Sequence, residues 1–380
     1  MQGSGEKMID VVENFSCPHQ TESYMTAYRE WRRRKANRFA FRFTKNPKEA
    51  AFSENQAVVN GTPLHAEQNT LQRVGLLYGY LLIGALVIEN LVDKLLVWLL
   101  SACGLHIEVM VWSESRLYGD EHIVFWTAFT VNLLKYLVPA IAALVILKMP
   151  RRVSFPLRTT QPLYLLIGMP LVMLMSVGMG MFLVSRSAEM EKYRLIDNAV
   201  STSDRHVILY VLFTVLLLPV AFELLIHGCL FQLLRQFGDL FAIAATTLLA
   251  ALLTHNLQDA VRIGLLTLTI SYFMIQSGSF LTAVILHVVH EIYMFALYCI
   301  ETFGEIYSNT WWTLILMPVV LGAAAGIYLL VRRIKRPAEC QFSRTYLSLW
   351  DQCSAFFVSL PMTFVGVICV LLMIVTAFLV

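Results

Sequence analysis

Ala221-Phe222-Glu223-Leu224-Leu225-Ile226-His227-Gly228 sits inside a long apolar run from Val207 to Leu234. A carboxylate and an imidazole in the middle of such a helix are costly in hydrocarbon, about 2.5 kcal/mol or more for the carboxylate on insertion scales. Groups of this kind persist where they face a protein interior or a water-filled cavity. Two later apolar segments bring more of them, His255 in one and His287, His290 and Glu291 in the other. Three hydrophobic helices that each retain His or Glu predict the walls of a common reaction or binding site.

The rest of the chain shares the apolar character. Of its 380 residues 57% are apolar and 14% charged, against about 25% charged in soluble domains. This excludes an ordinary soluble globular protein and predicts an all-α, polytopic helical bundle in the bilayer. A crossing takes about 20 helical residues. About nine stretches meet or approach that length, at 74–103, 122–148, 163–184, 207–234, 240–256, 260–276, 280–302, 311–331 and 361–380. The fifth and sixth are short. The expected organisation is a basic N-terminal segment (1–70), a helical membrane domain (71–335) with the polar-bearing helices at about 205–300, and a polar link with a final crossing (336–380). The run Tyr24 to Phe43 reads either as a basic amphipathic helix on the inner leaflet or as a plain juxtamembrane flank.

Lys and Arg clusters set the expected orientation. Arg32, Arg33, Arg34, Lys35, Arg38, Arg42, Lys45 and Lys48 precede the first span; Lys148, Arg151 and Arg152 follow the second; Arg235 follows the fourth; Arg332, Arg333, Lys335 and Arg336 follow the eighth. These fall on one side if every span crosses once, which places the N-terminus in the cytoplasm. The acid-rich loop Glu108 to Glu121 lies opposite. Residues 1–70 show no short apolar core with a cleavage site, so the first span is expected to serve as both targeting signal and anchor. The net charge of +3 arises from the flanks and gives no reason to expect nucleic acid. The seven cysteines form no C-x-x-C pair and suggest neither a zinc knuckle nor a disulfide framework.

Within the membrane, Glu223 and His227 stand four residues apart and share a helix face. So do His287 and Glu291, with His290 close to the same face. Packed together with His255, they place carboxylates beside imidazoles in a low-dielectric pocket suited to general-base chemistry. At about 1.5 Å rise per residue, Glu223 and His287 lie at similar depths and His255 is the outlier. The plain alternative is that buried His and Glu only bridge helices, at about 0.6 kcal/mol per hydrogen bond. Glu89, Asp93 and Lys94 read as an internally paired patch that Lys135 can join. Arg262 can snorkel.

The segments Phe222 to Gly228, Leu252-Leu253-Thr254-His255-Asn256, Gln276-Ser277-Gly278-Ser279-Phe280 and Ile285 to Glu291, taken in order, resemble the CPBP family of intramembrane proteases. That family includes CAAX prenyl endopeptidases and bacterial proteins tied to bacteriocin processing or self-immunity. The likeness covers about residues 205–300. It implies amide hydrolysis within the membrane by a water activated by Glu and His, with no acyl-enzyme, no obligatory metal and no cofactor. It also implies a membrane-embedded or membrane-associated peptide or protein as substrate, and a bacterial plasma membrane as the location.

The family pattern is E-E-x-x-x-R, then F-x-x-x-H, then H-x-x-x-N. Here Phe222 occupies the first Glu position, Glu223 keeps the second, and His227 stands for Arg. Ala251 replaces the Phe of the second motif and His255 keeps its His. His287 keeps the third-motif His and Glu291 replaces Asn. The resemblance thus assigns catalysis to Glu223, His255, His287 and Glu291, with Phe222, His227 and His290 in supporting places. Phe222 cannot accept a proton, and a general base is typically worth about 10²–10⁴ in rate. Neighbouring helical residues project about 100° apart, so Glu223 replaces the missing carboxylate only with a rotated helix or a different pose. An ionised Glu291 would repel an oxyanion; a protonated one would donate to it. Three readings stay open: an endopeptidase with a rearranged site; a pseudoprotease acting as adaptor, chaperone or immunity protein; and a transporter or metal-binding protein using His255, His287 and Glu223 or Glu291 as ligands.

Overall fold

The computed structural model describes residues 9–17, 19–45, 62–109, 117–175, 206–303, 309–336 and 342–379. Strands among them are confined to two short antiparallel pairs, β1 (Ile9–Asp10) with β2 (Thr44–Lys45) and β3 (Ile107–Val109) with β4 (Leu117–Gly119). Everything else of regular structure is helical. In chain order the helices are α1 (Glu22–Arg33), α2 (Pro63–Ala102), α3 (Glu121–Leu147), α4 (Arg151–Ser154), α5 (Leu163–Met173), α6 (Val207–Phe237), α7 (Asp239–Leu252), α8 (Leu257–Ser277), α9 (Phe280–Phe303), α10 (Asn309–Lys335), α11 (Leu349–Phe357) and α12 (Leu360–Leu379).

The long helices begin where the sequence supplies caps. Thr62 accepts from the His65 amide, with Pro63 in the first turn, and Asp120 accepts from the amides of His122 and Ile123. Such caps satisfy amides that the first turn leaves without partners. Among the described residues, six helices are long and apolar enough to cross a membrane: α2, α3, α6, α8, α9 and α10. The pair α11 and α12, bent by 90° at their junction, makes a seventh if taken as one broken span. The chain is an all-α polytopic membrane protein.

Two of the expected crossings differ. The stretch 240–256 folds as α7, 14 residues long, or about 21 Å, short of a hydrocarbon core of about 30 Å. The chain leaves α7 at Leu253 and turns at His255, whose φ of 56° lies in the left-handed region. The stretch 163–184 is helical through α5; residues 176–184 and the loop 186–205 lie outside the described residues.

α6 is the central element. Every residue from Leu225 to Asp239 is buried, as expected of a helix packed on all sides. It is also irregular, with π-helical turns over Leu212–Leu217 and Leu224–Phe231. The N-terminal segment packs onto its far end. Tyr24 donates from its hydroxyl to Gln232 Oε1 (2.8 Å), Tyr28 to the Gln232 carbonyl (2.9 Å), and Trp31 Nε1 to the Leu147 carbonyl (2.9 Å). The helix is therefore shorter than the run Tyr24 to Phe43, and its aromatic face is covered by protein. Burial of each such ring is worth about 1.5–3 kcal/mol.

The link after α10 clamps the same end. Glu67 of α2 accepts from the Tyr346 and Leu347 amides (3.0 and 3.2 Å) and from Gln352 Nε2 (2.8 Å). Asp239 accepts from the Ser343 amide and hydroxyl (3.1 and 2.7 Å). The basic clusters gather here too: Arg34 donates to the Lys148 carbonyl, and Arg332 reaches Gln161, which bonds His19. α11 and α12 then pack along α2, the first at Gly75 and the second at Gly79. A Cβ would stand 2.3 Å from the Phe356 carbonyl oxygen at the first and 2.6 Å from the Met362 amide at the second, so only glycine allows this approach.

Candidate active site

α3, α6, α8 and α9 enclose a cavity of about 340 Å³. Its wall is largely apolar and aromatic, with Phe129 and Tyr136 from α3, Leu218 and Phe222 from α6, and Ile263 from α8. His287 and Glu291 of α9 supply the ionisable groups on that wall, and the Leu253–Thr254 turn closes one side. An apolar recess with a few polar groups is the usual form of a site that binds a small or extended apolar ligand.

Glu223 is the hub behind this wall. It is fully buried, and each of its carboxylate oxygens accepts from a different imidazole. Oε1 takes His287 Nδ1 at 2.7 Å; Oε2 takes His227 Nδ1 in a short contact one turn along the same helix. With Nδ1–H donated to the carboxylate, the neutral ring carries its lone pair on Nε2. At His227 that nitrogen meets the Ser271 hydroxyl at 2.9 Å. At His287 it lies 3.9 Å from Glu291 Oε1, beyond hydrogen-bond reach and within reach of a bridging group. His290 is fully buried beside His287, with ring centroids 6.4 Å apart.

Local geometry explains how Glu223 reaches α9. The π-helical turn Leu212–Leu217 lies immediately before the segment that carries it. A wide turn rotates all that follows relative to an uninterrupted α-helix, which is the rotation that position 223 needs. Phe222 packs edge-on against His287 (5.2 Å, 87°) and Tyr136 (5.4 Å, 79°). It seals the cavity where the resembling pattern has a carboxylate. His227, in place of Arg, turns inward to Glu223 and Ser271.

His255 is placed differently from expectation. Its Nδ1 pairs with Glu89 Oε2 of α2 at 3.4 Å, not with Glu223. Glu89 also holds Lys135 Nζ of α3 at 2.6 Å, and Lys135 donates to the Leu253 carbonyl at 3.3 Å. The reason lies in α7: it stops short, and the left-handed turn at His255 carries the imidazole toward α2. The expected internal patch of Glu89, Asp93 and Lys94 thus resolves into a cross-helix pair, again at a π-helical turn, Ile88–Val92. Arg262 pairs with Asp259 one turn back. Two polar clusters result. Glu223, His227, His287 and Glu291 come together; Glu89, Lys135 and His255 form the other, joined to the cavity through Leu253 and Thr254.

Ser271 and Glu89 were not among the expected site residues. Glu89 was visible as an intramembrane charge, but nothing in its spacing pointed to His255. A serine within an apolar helix carries no such signal. Among the described residues, no set of three or more His, Cys, Asp or Glu side chains is arranged to hold a metal ion.

Residues 204–293 match the family model described as type II CAAX prenyl endopeptidase Rce1-like. No curated protein and no solved structure matches the chain. The matched stretch, about a quarter of the chain, contains Glu223, His255, His287 and Glu291, and supports a CPBP, or CAAX protease, family assignment for that segment.

Proposed function

We propose that the protein is an intramembrane endopeptidase with a rearranged site, in which His287 is the general base, Glu223 orients it, and Glu291 acts beside it. The single observation that carries this is the Glu223–His287–Glu291 line: a buried carboxylate on Nδ1 and a second carboxyl 3.9 Å from Nε2. A carboxylate on one ring nitrogen fixes the tautomer and leaves the other as base, the logic of hydrolytic triads. Nε2 takes a proton from water as the water oxygen adds to the peptide carbonyl carbon. The C–N bond then breaks, and the imidazolium returns the proton to the leaving amine. Glu291, when protonated, donates to the carbonyl oxygen as negative charge develops there. The aromatic cavity binds an apolar stretch of a membrane-anchored peptide or protein. The N-terminal segment and the basic clusters lie at the end that charge bias assigns to the cytoplasm.

A second reading, a pseudoprotease that binds such a segment without cutting it, is favoured by two features. Phe222 fills the first-Glu position and His255 is engaged by Glu89. The test is to express the full chain and its E223Q, H287A and E291Q variants in membranes and map new peptide N-termini by mass spectrometry. Cleavage by the native chain, with a loss of at least about 10² in each variant, is expected. If no cleavage appears while a co-purifying membrane partner survives all three substitutions, the pseudoprotease reading stands in its place.

A further inference from the structure

The end of the bundle that gathers the basic clusters holds a second cavity, of about 570 Å³, remote in sequence from the residues above. Arg151, Arg152 and Arg158 form one side; Gln20, Thr21 and Tyr24 form the other. Among the described residues these three guanidinium groups meet no carboxylate. Three cations around one hollow without a counter-charge repel one another, which a bound anion relieves.

The deeper layer has the same bias. Gln20 Nε2 is buried and has no acceptor. The Tyr24 hydroxyl is bonded to Gln232 Oε1, and the Nε2 of that fully buried glutamine has no acceptor either. Over the Tyr24 ring, at 6.0 Å, lies the guanidinium of Arg235; it is 0% exposed, gives Nε to Asp239, and leaves both Nη atoms without acceptors. Buried donors without acceptors are rare in folded proteins. Here donors exceed acceptors at the rim and beneath it. A planar guanidinium fork matches phosphate oxygens. Leu157 lines the same cavity at 64% exposure, and Leu163 at the start of α5 is 46% exposed. An apolar strip beside a cationic hollow at the end of membrane-crossing helices fits a molecule with an anionic head and an acyl tail.

We infer that this cavity binds the phosphate-bearing headgroup of an anionic membrane lipid, with Arg151, Arg152 and Arg158 on the phosphate and Leu157 along the chain. The competing explanation is the diffuse attraction that any basic flank exerts on anionic lipid. Arg333, Lys335 and Arg336 at the end of α10 supply the control, having equal charge without lining this cavity. The thermal midpoint of the purified full chain in detergent should be followed while dioleoylphosphatidylglycerol, dioleoylphosphatidylcholine or inorganic phosphate is titrated in. Phosphatidylglycerol alone is expected to raise the midpoint. R151Q/R152Q/R158Q should weaken the apparent affinity roughly a hundredfold, and Arg158→Gln alone about fivefold, should the triple variant fail to fold. R333Q/K335Q/R336Q should leave it unchanged. Equal weakening by both triple variants would reduce the effect to surface attraction. An equal response to free phosphate would make it a phosphate site, and no response of the native chain to phosphatidylglycerol would overturn it outright.

Discussion

Glu223 is held at both oxygens, and this decides what its neighbours can do. The carboxylate fixes two rings at once, His227 toward Ser271 and His287 toward Glu291. Phe222 stands beside the same ring of His287, so a carboxylate introduced there enters the cavity wall next to the proposed base. The pair F222E/H227R restores the family pattern on α6. It is expected to raise peptide hydrolysis, by up to about 10², measured as turnover of a membrane-anchored peptide. Unchanged turnover would mean that position 222 carries no base role in this chain. The i, i+4 spacings were legible at this scale: Glu223 bonds His227, and Glu291 comes within 3.9 Å of His287, each on the shared face that its spacing requires. A common hollow for Glu223, His227, His255, His287 and Glu291 was expected, but no particular pairing of Glu223 with His287. Nor was the link between His255 and Glu89, because a spacing argument sees only one helix at a time.

At the scale of elements, departures from α-helical regularity place the site. π-helical turns precede and follow Glu223 and another spans Glu89. Widened turns of this kind recur where function sets a side chain's direction. No residue type announces them, which is why the phase of α6 could not be read from its letters. α7 shows a second limit: hydropathy measures how apolar a stretch is, whereas crossing depends on length, and the turn at His255 fixes the length. That turn is tied down by Lys135, which joins Glu89 of α2 to the Leu253 carbonyl. Lys135→Met removes both contacts and leaves Glu89 without its cation. The expected cost is about 2 kcal/mol, at the low side for a broken buried pair because the Glu89 side chain keeps 27% exposure. Denaturant unfolding in detergent measures it. Adding Glu89→Gln should recover part of the loss; a single variant as stable as the native chain would show the pair to be incidental.

At the scale of the whole molecule, composition alone was enough for an all-α membrane protein, since 14% charge leaves too little polar surface for a soluble one. The way the ends attach was hidden, because aromatic residues such as Tyr28 and Trp31 read alike whether they face lipid headgroups or a protein groove. Both described ends turn back onto α6, the first through α1 and the last through Thr345 and Gln352, which donate to the Phe237 carbonyl. The small-residue notch on α2 belongs to the same closure. Gly75 and Gly79, four apart, form the spacing by which membrane helices commonly dimerise, and here the chain's own tail already occupies it. A chain cut after Arg336 should therefore expose a self-adhesive seam and appear as a cross-linkable dimer, while Gly79→Leu in that shortened form should return it to a monomer. A shortened form that stays monomeric without the leucine would show that the tail guards nothing.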